Sequence, residues 1–141
     1  MCKHYTWTYI WKVNDKKQIR IAIFEDNPIM MDAYRWILNG SRGYTCIGSF
    51  NSCNNWRHDL ERSNPDVVLM DIHMPLMDGY QAALEIRSLP DPVKSNVSII
   101  ALTASVSNLE QRIKDVGMND YIYKPFNSKE LYKKLKAISI N

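Results

Sequence analysis

Five short runs of apolar, largely β-branched residues recur along the chain, each separated from the next by a stretch with helical spacing. This alternation restricts the fold more than any other feature. The runs are Ile19–Phe24 (IRIAIF), Tyr44–Phe50 (YTCIGSF), 66–70 (DVVLM), 97–102 (VSIIAL) and Asp120–Tyr123. After the first, Asn27-Pro28 reads as a helix start, a capping side chain followed by Pro at the first helical position. Ile29, Ala33 and Ile37 continue that helix at four-residue spacing, and Gly40 or Gly43 stops it. Residues 53–63 predict a second helix with Trp56 and Leu60 on one face. A third runs from Asp78-Gly79 through Ala82, Ala83 and Ile86 to about Ser88. Residues 89–96 (LPDPVKSN) carry two prolines and predict a loop. Leu109–Val116 anchors a fourth helix ended by Gly117, and after Lys124-Pro125 a fifth helix over 128–138 turns Leu131, Leu135 and Ile138 inward. Strands apolar on both faces, alternating with helices, predict an α/β fold: a five-stranded parallel sheet with helices on both faces.

Composition bounds the rest. Apolar residues make up 45% of the 141-residue chain and charged residues 23%, enough to bury a core and stay soluble. The longest apolar runs, such as 67–70, are far short of a bilayer span, and the N-terminus lacks a secretory pattern, so no membrane contact is expected. The formal charge of +3 belongs entirely to residues 1–18, which hold Lys3, Lys12, Lys16 and Lys17 against Asp15. The body is electrically balanced, offers no cationic field, and predicts no direct nucleic-acid binding. Cys2, Cys46 and Cys53 are odd in number and lack CxxC spacing, which predicts free thiols in a reducing cytoplasm rather than zinc ligands. Residues 1–18 stand outside the alternation and are read as an N-terminal extension. There Tyr5, Trp7, Tyr9 and Trp11 alternate with Thr6, Thr8 and Ile10, a strand pattern with one aromatic face. An extra edge strand, a contact surface and a remnant of an upstream domain all fit it.

In an open parallel α/β sheet, ligands bind beyond the carboxyl ends of the strands. There the first strand ends in Glu25-Asp26, the third in Asp71, the fourth in Thr103 and the fifth in Tyr123-Lys124. Singly, Asp26 and Asp71 could be caps, Thr103 a strand end and Lys124 a solvated charge. Together, three carboxylates at one rim repel one another and call for a cation, and an all-oxygen set suits Mg²⁺ or Mn²⁺. Lys124 adds fixed positive charge and Thr103 a hydrogen bond, which completes the equipment for phosphoryl transfer.

The ordered strings IFEDN, VVLMDIHMPLMDG, IIALTAS and YIYKPF resemble the receiver domain of two-component response regulators over about residues 19–138. The resemblance implies a flavodoxin-like doubly wound sheet of strand order 2-1-3-4-5, with 19–141 as the receiver domain. It implies that Asp71 is the phosphorylated aspartate and that Glu25 and Asp26 are the acidic pair, Asp26 ligating the metal directly and Glu25 through water. His73 matches the position whose main-chain carbonyl completes the metal shell. Thr103 matches the switch hydroxyl, Tyr121 the switch aromatic, and Lys124 the lysine that pairs with a phosphoryl oxygen. Lys124-Pro125 matches the bond that is typically cis, Ala104 the small residue beside the phosphate, and Pro75 and Gly79 the loop after the phosphoacceptor.

A cytoplasmic phospho-acceptor switch follows as an expectation, not itself an enzyme. It takes a phosphoryl group from a histidine kinase or phosphotransfer protein and signals to an effector through the face of the fourth helix, fifth strand and fifth helix. With Asn141 so soon after the last helix, no output domain is expected on the chain. The first half looks like receivers of transcription regulators, and LPDPVKSN with GMNDYIYKPF more like those of hybrid histidine kinases. Two rivals come from other classes. A phosphatase of the haloacid dehalogenase type wants a second acid two residues after the nucleophile, where this chain has His73. A receiver-fold docking module that is never phosphorylated usually loses an acid or the lysine, and this chain keeps them all. A dinucleotide-binding domain is excluded, because no glycine-rich loop follows Phe24.

Overall fold

The structure, a computed structural model, describes residues 17–104 and 107–139. The aromatic run at 5–11 therefore lies outside the described residues. Strands β1 (Ile19–Phe24), β2 (Tyr44–Phe50), β3 (Val67–Asp71), β4 (Ser98–Thr103) and β5 (Asp120–Tyr123) form one sheet in the order β2-β1-β3-β4-β5. All four neighbouring pairs are parallel. The helices are α1 (Pro28–Asn39), α2 (Trp56–Ser63), α3 (Gly79–Arg87), α4 (Leu109–Val116) and α5 (Ser128–Ser139). This is the doubly wound flavodoxin-like topology that the family resemblance implies.

The sheet separates two apolar layers. Met31, Tyr34 and Leu38 of α1 pack with Leu131 and Leu135 of α5 against Ile21, Ile23, Leu69 and Ile100. On the opposite face Trp56 and Leu60 of α2, Ala83 and Ile86 of α3 and Ile113 of α4 cover Ala22, Phe24, Val68 and Met70. Alternate residues of β1 and β3 thus go to different layers, which is why those strands are apolar throughout. No described helix is long and apolar enough to cross a membrane.

In three places the structure refines the sequence reading. Ile29, Ala33 and Ile37 do continue α1 at four-residue spacing, but the helix buries a different row. Ile29 is 78% exposed, while Met31, Tyr34 and Leu38 face the sheet at i, i+3, i+7 spacing. The Tyr34 ring fixes that phase by stacking on Phe126, with centroids 4.8 Å apart. Second, α2 begins at Trp56 rather than residue 53. Cys53 is buried in the preceding turn, where its carbonyl accepts from the Trp56 N–H at 3.2 Å. Third, the stretch 89–96 is not wholly a loop. Asp91 Oδ1 accepts from the Val93 N–H at 2.9 Å and Pro92 opens a single helical turn, Pro92–Ser95. That start repeats the Asn27-Pro28 signal, where Asn27 Oδ1 accepts from the N–H groups of Ile29 and Met30.

Arg87, in the last turn of α3, ties together segments that the sheet alone leaves apart. Its Nε donates to Gly117 O at 2.8 Å, its Nη1 to both Ser95 O and Val97 O at 2.7 Å, and its Nη2 to Asn119 Oδ1 at 3.0 Å. Gly117, at φ +80°, makes room for it, since a Cβ there would stand 3.1 Å from Arg87 Cγ and Nε. Burial lowers the guanidinium pKa. Arg87→Ala strands several acceptors, so we expect urea denaturation to show a loss of about 3 kcal/mol. Arg87→Lys should recover little, because an ammonium cannot reproduce the planar fork.

Candidate functional site

The carboxyl ends of β1, β3, β4 and β5 meet at one edge, and each brings a functional side chain there. Strands β3 and β4 run one residue further than the sequence suggests, so Asp71 and Thr103 are the last paired residues of their strands and not the first beyond them. Both are buried, Asp71 at 3% exposure and Thr103 at 0%. The chain turns sharply after Phe24, leaving Glu25 buried at 1% and Asp26 exposed. Carboxylate oxygens of Glu25, Asp26 and Asp71 all lie within 4.8 Å of one another.

Lys124 reaches across from β5 to this cluster. Its Nζ donates to Glu25 Oε2 at 2.8 Å and to Asp71 Oδ2 at 2.9 Å. One ammonium therefore faces three carboxylates. Burial raises the Glu25 pKa; the Lys124 hydrogen bond pulls it back, the Asp71 charge pushes it up again, and the net shift is upward. For Lys124, burial lowers the pKa, but the two carboxylates it bonds outweigh that and hold the ammonium above its ordinary value.

Main-chain groups complete the frame. The His73 N–H donates to Asp71 Oδ1 at 3.0 Å and fixes the carboxylate, while the His73 side chain is exposed. The Asn27 N–H donates to Glu25 Oε1 at 3.3 Å. Thr103 Oγ1 donates to Ala104 O at 2.7 Å, so its hydroxyl is turned to the backbone. Tyr121 is half-buried, and its phenol donates to Glu110 Oε1 of α4 at 3.0 Å. The Lys124–Pro125 peptide is cis.

Gly79 starts α3 directly behind Asp71. Its N–H donates to Ile72 O at 3.0 Å, and a Cβ at this position would stand 2.5 Å from Asp71 O and 3.0 Å from Ile72 Cα. Backbone, not a yielding side chain, is what a methyl group would meet. Gly79→Ala should cost about 2 kcal/mol in a denaturant titration, because α3 must back away from the strand end. Cys53 lies beneath the same edge; burial, then the charges of Asp71, Asp78 and Asp59, push its thiol up to about 12. Cys46 and Cys53 are both free thiols.

Residues 21–136 match the family model described as "Response regulator receiver domain". The chain is 37% identical over 113 residues to hybrid signal transduction histidine kinase C of Dictyostelium discoideum, covering 76% of this chain and 9% of that protein. It is 43% identical over 128 residues to the probable transcriptional regulator ycf27 of Guillardia theta, covering 89% and 43%. Its fold matches the crystal structure of the receiver domain of sensor histidine kinase PA1611 from Pseudomonas aeruginosa, which has a magnesium ion coordinated in its active-site cleft. The TM-score is 0.75 at 33% identity, covering 87% of this chain and 99% of that one. The chain spans less than half the length of the first curated relatives it matches.

Proposed function

We propose that this chain, which belongs to the response regulator receiver domain family, is a phospho-acceptor switch in which Asp71 takes a phosphoryl group in the presence of a divalent cation. The observation that carries this reading is the arrangement of Glu25, Asp26 and Asp71 around one shared point, with Lys124 bonded to two of them. The receiver unit is read as 19–141 and residues 1–18 as an extension.

The donor set fits a hard cation. Among the described residues the clustered side-chain ligands are all carboxylate oxygens, and one ammonium leaves negative charge uncompensated. Glu25, Asp26 and Asp71 would hold Mg²⁺, or Mn²⁺, together with the His73 carbonyl. The ion supplies charge that offsets both the carboxylates and an incoming phosphoryl group.

Asp71 carries the chemistry. One of its carboxylate oxygens attacks the phosphorus of a phosphohistidine in line; the new O–P bond forms as the P–N bond breaks, and the histidine nitrogen leaves. The His73 N–H on Oδ1 holds the carboxylate in one orientation for that attack. Lys124 exchanges Asp71 Oδ2 for a phosphoryl oxygen, and Thr103 leaves the Ala104 carbonyl for another. The space vacated by Thr103 lets Tyr121 move inward from Glu110, which changes the α4–β5–α5 face. A histidine kinase or phosphotransfer protein is the donor and an effector on that face the recipient, in the cytoplasm, without direct nucleic-acid contact.

Incubation with Mg²⁺ and acetyl phosphate, followed by intact mass, tests the reading. A gain of one phosphoryl mass that chelation prevents is expected; no gain would leave a docking module. Metal affinity should also fall strongly in Asp26→Asn and little in His73→Ala, since a main-chain carbonyl survives substitution. Mg²⁺ titrations followed by tryptophan fluorescence measure that contrast, and equal losses would remove the carbonyl role of His73.

A further inference from the structure

Far from the carboxylates, the α1–α5 face carries an apolar groove of about 470 Å³, lined by Trp36, Ile37, Asn39 and Gly40 with Ser128 and Tyr132. Trp36 is 84% exposed, in contrast to the buried Trp56. The groove has a firm side. The Tyr132 phenol donates to the Ile37 carbonyl, and its ring stacks on Tyr44 with centroids 5.7 Å apart. An open indole beside ordered apolar walls marks a surface built to be covered.

We propose that residues 5–11 of this same chain are what covers it. The described chain begins beside the groove. Gln18 Nε2 donates to Arg42 O at 3.2 Å and the Ile19 N–H to Gly43 O at 2.9 Å, in the loop that follows Gly40. Six residues lie between Trp11 and Gln18, and the seven steps from one to the other, at about 3.3 Å each, reach roughly 23 Å. Gly40 to Trp36 is one helical turn, about 6 Å. The tether is therefore long enough to lay the segment along the groove and short enough to hold it at millimolar effective concentration, which favours it over a second copy.

The chemistry matches too. In an extended segment Tyr5, Trp7, Tyr9 and Trp11 would share one face, and Thr6, Thr8 and Ile10 the other. Such a ribbon could bury its aromatic side and leave a mainly polar side in water. Addition to the open edge of β2 is the less favoured arrangement, because the Cys46 N–H is already bonded to Asn39 Oδ1 at 3.0 Å. The proposal is independent of any phosphoryl chemistry.

Hydroxyl-radical footprinting of the full chain, read by mass spectrometry at two protein concentrations, tests it. Relative to the parent, the variant carrying Tyr5→Ser, Trp7→Ser, Tyr9→Ser and Trp11→Ser should label Trp36 about fivefold faster, as for a segment docked about four-fifths of the time. Trp36→Glu, at an exposed position that the fold tolerates, should reciprocally speed labelling of residues 5–11. The rate at Trp56 should stay the same in both. Equal labelling of Trp36 in the parent and the fourfold variant overturns the proposal. Protection that appears only at the higher concentration also overturns it, and assigns the groove to a second copy.

Discussion

Lys124→Ala should lower stability by about 3 kcal/mol at pH 7, and Mg²⁺ should restore most of the loss. Without the ammonium, Glu25 Oε2 and Asp71 Oδ2 lose a partner at 2.8 and 2.9 Å, and two buried carboxylates face each other uncompensated. Breaking one side of a buried ion pair costs about 3–5 kcal/mol; the lower end applies because Lys124 is not fully sealed from water. A cation held by the same carboxylates replaces the lost charge, and at a hundred times its Kd contributes about 2.7 kcal/mol.

The pH dependence of that loss has a definite sign. Glu25 already titrates above its ordinary 4.5, through burial first, despite the Lys124 hydrogen bond that lowers it. Removing the lysine raises it further. An acid whose folded pKa is raised favours the fold below its unfolded pKa and loses that contribution as the pH climbs through the folded value. The variant should therefore be nearest the parent in acid and fall behind as Glu25 ionises. Lys124 itself, with a raised pKa, stabilises the parent below 10.5 and ceases to do so as the pH rises through its folded value. The gap is widest between those two limits. Urea titrations of both proteins across that range, with and without Mg²⁺, measure it, and a flat difference would mean that Lys124 is a solvated rim charge.

The parts of this site that were legible in the sequence are those fixed by strand direction. Five parallel strands place their last residues at one edge, so Glu25, Asp26, Asp71, Thr103 and Lys124 can be gathered from their positions alone. What strand direction does not determine is which groups pair there. The link from Lys124 to Glu25 joins residues 99 apart, and no local pattern announces it. The buried face of α1 is hidden in the sequence for a related reason. The four-residue spacing of Ile29, Ala33 and Ile37 marks the segment as helical but does not say which row is buried, and that row includes a tyrosine, amphipathic by composition. Tyr34 became core because Phe126, far along the chain, offers it a ring to stack on. Arg87 escaped notice because a lone arginine in a last helical turn reads as a cap. Its acceptors on two other segments, 95–97 and 117–119, come within reach only once the chain is folded.

Asp71→Asn separates chemistry from stability. The variant should gain no phosphoryl mass under conditions that label the parent fully, since an amide oxygen is a poor nucleophile and the group it would form is not an acyl phosphate. Its fold should be no less stable at pH 7. The amide keeps an oxygen for the His73 N–H, Lys124 keeps Glu25, and the repulsion that Asp71 imposes on Glu25 is gone. A neutral group is also cheaper to bury than a carboxylate. With one ligand fewer in charge, added Mg²⁺ should raise its melting temperature less than it raises the parent's. The three readings bear on one another. A mass gain that persists in a stable Asn variant assigns the phosphoryl group to another residue. A variant that takes no phosphoryl group but has also lost several kcal/mol would show Asp71 to be structural, its carboxylate needed by Lys124 rather than by phosphorus.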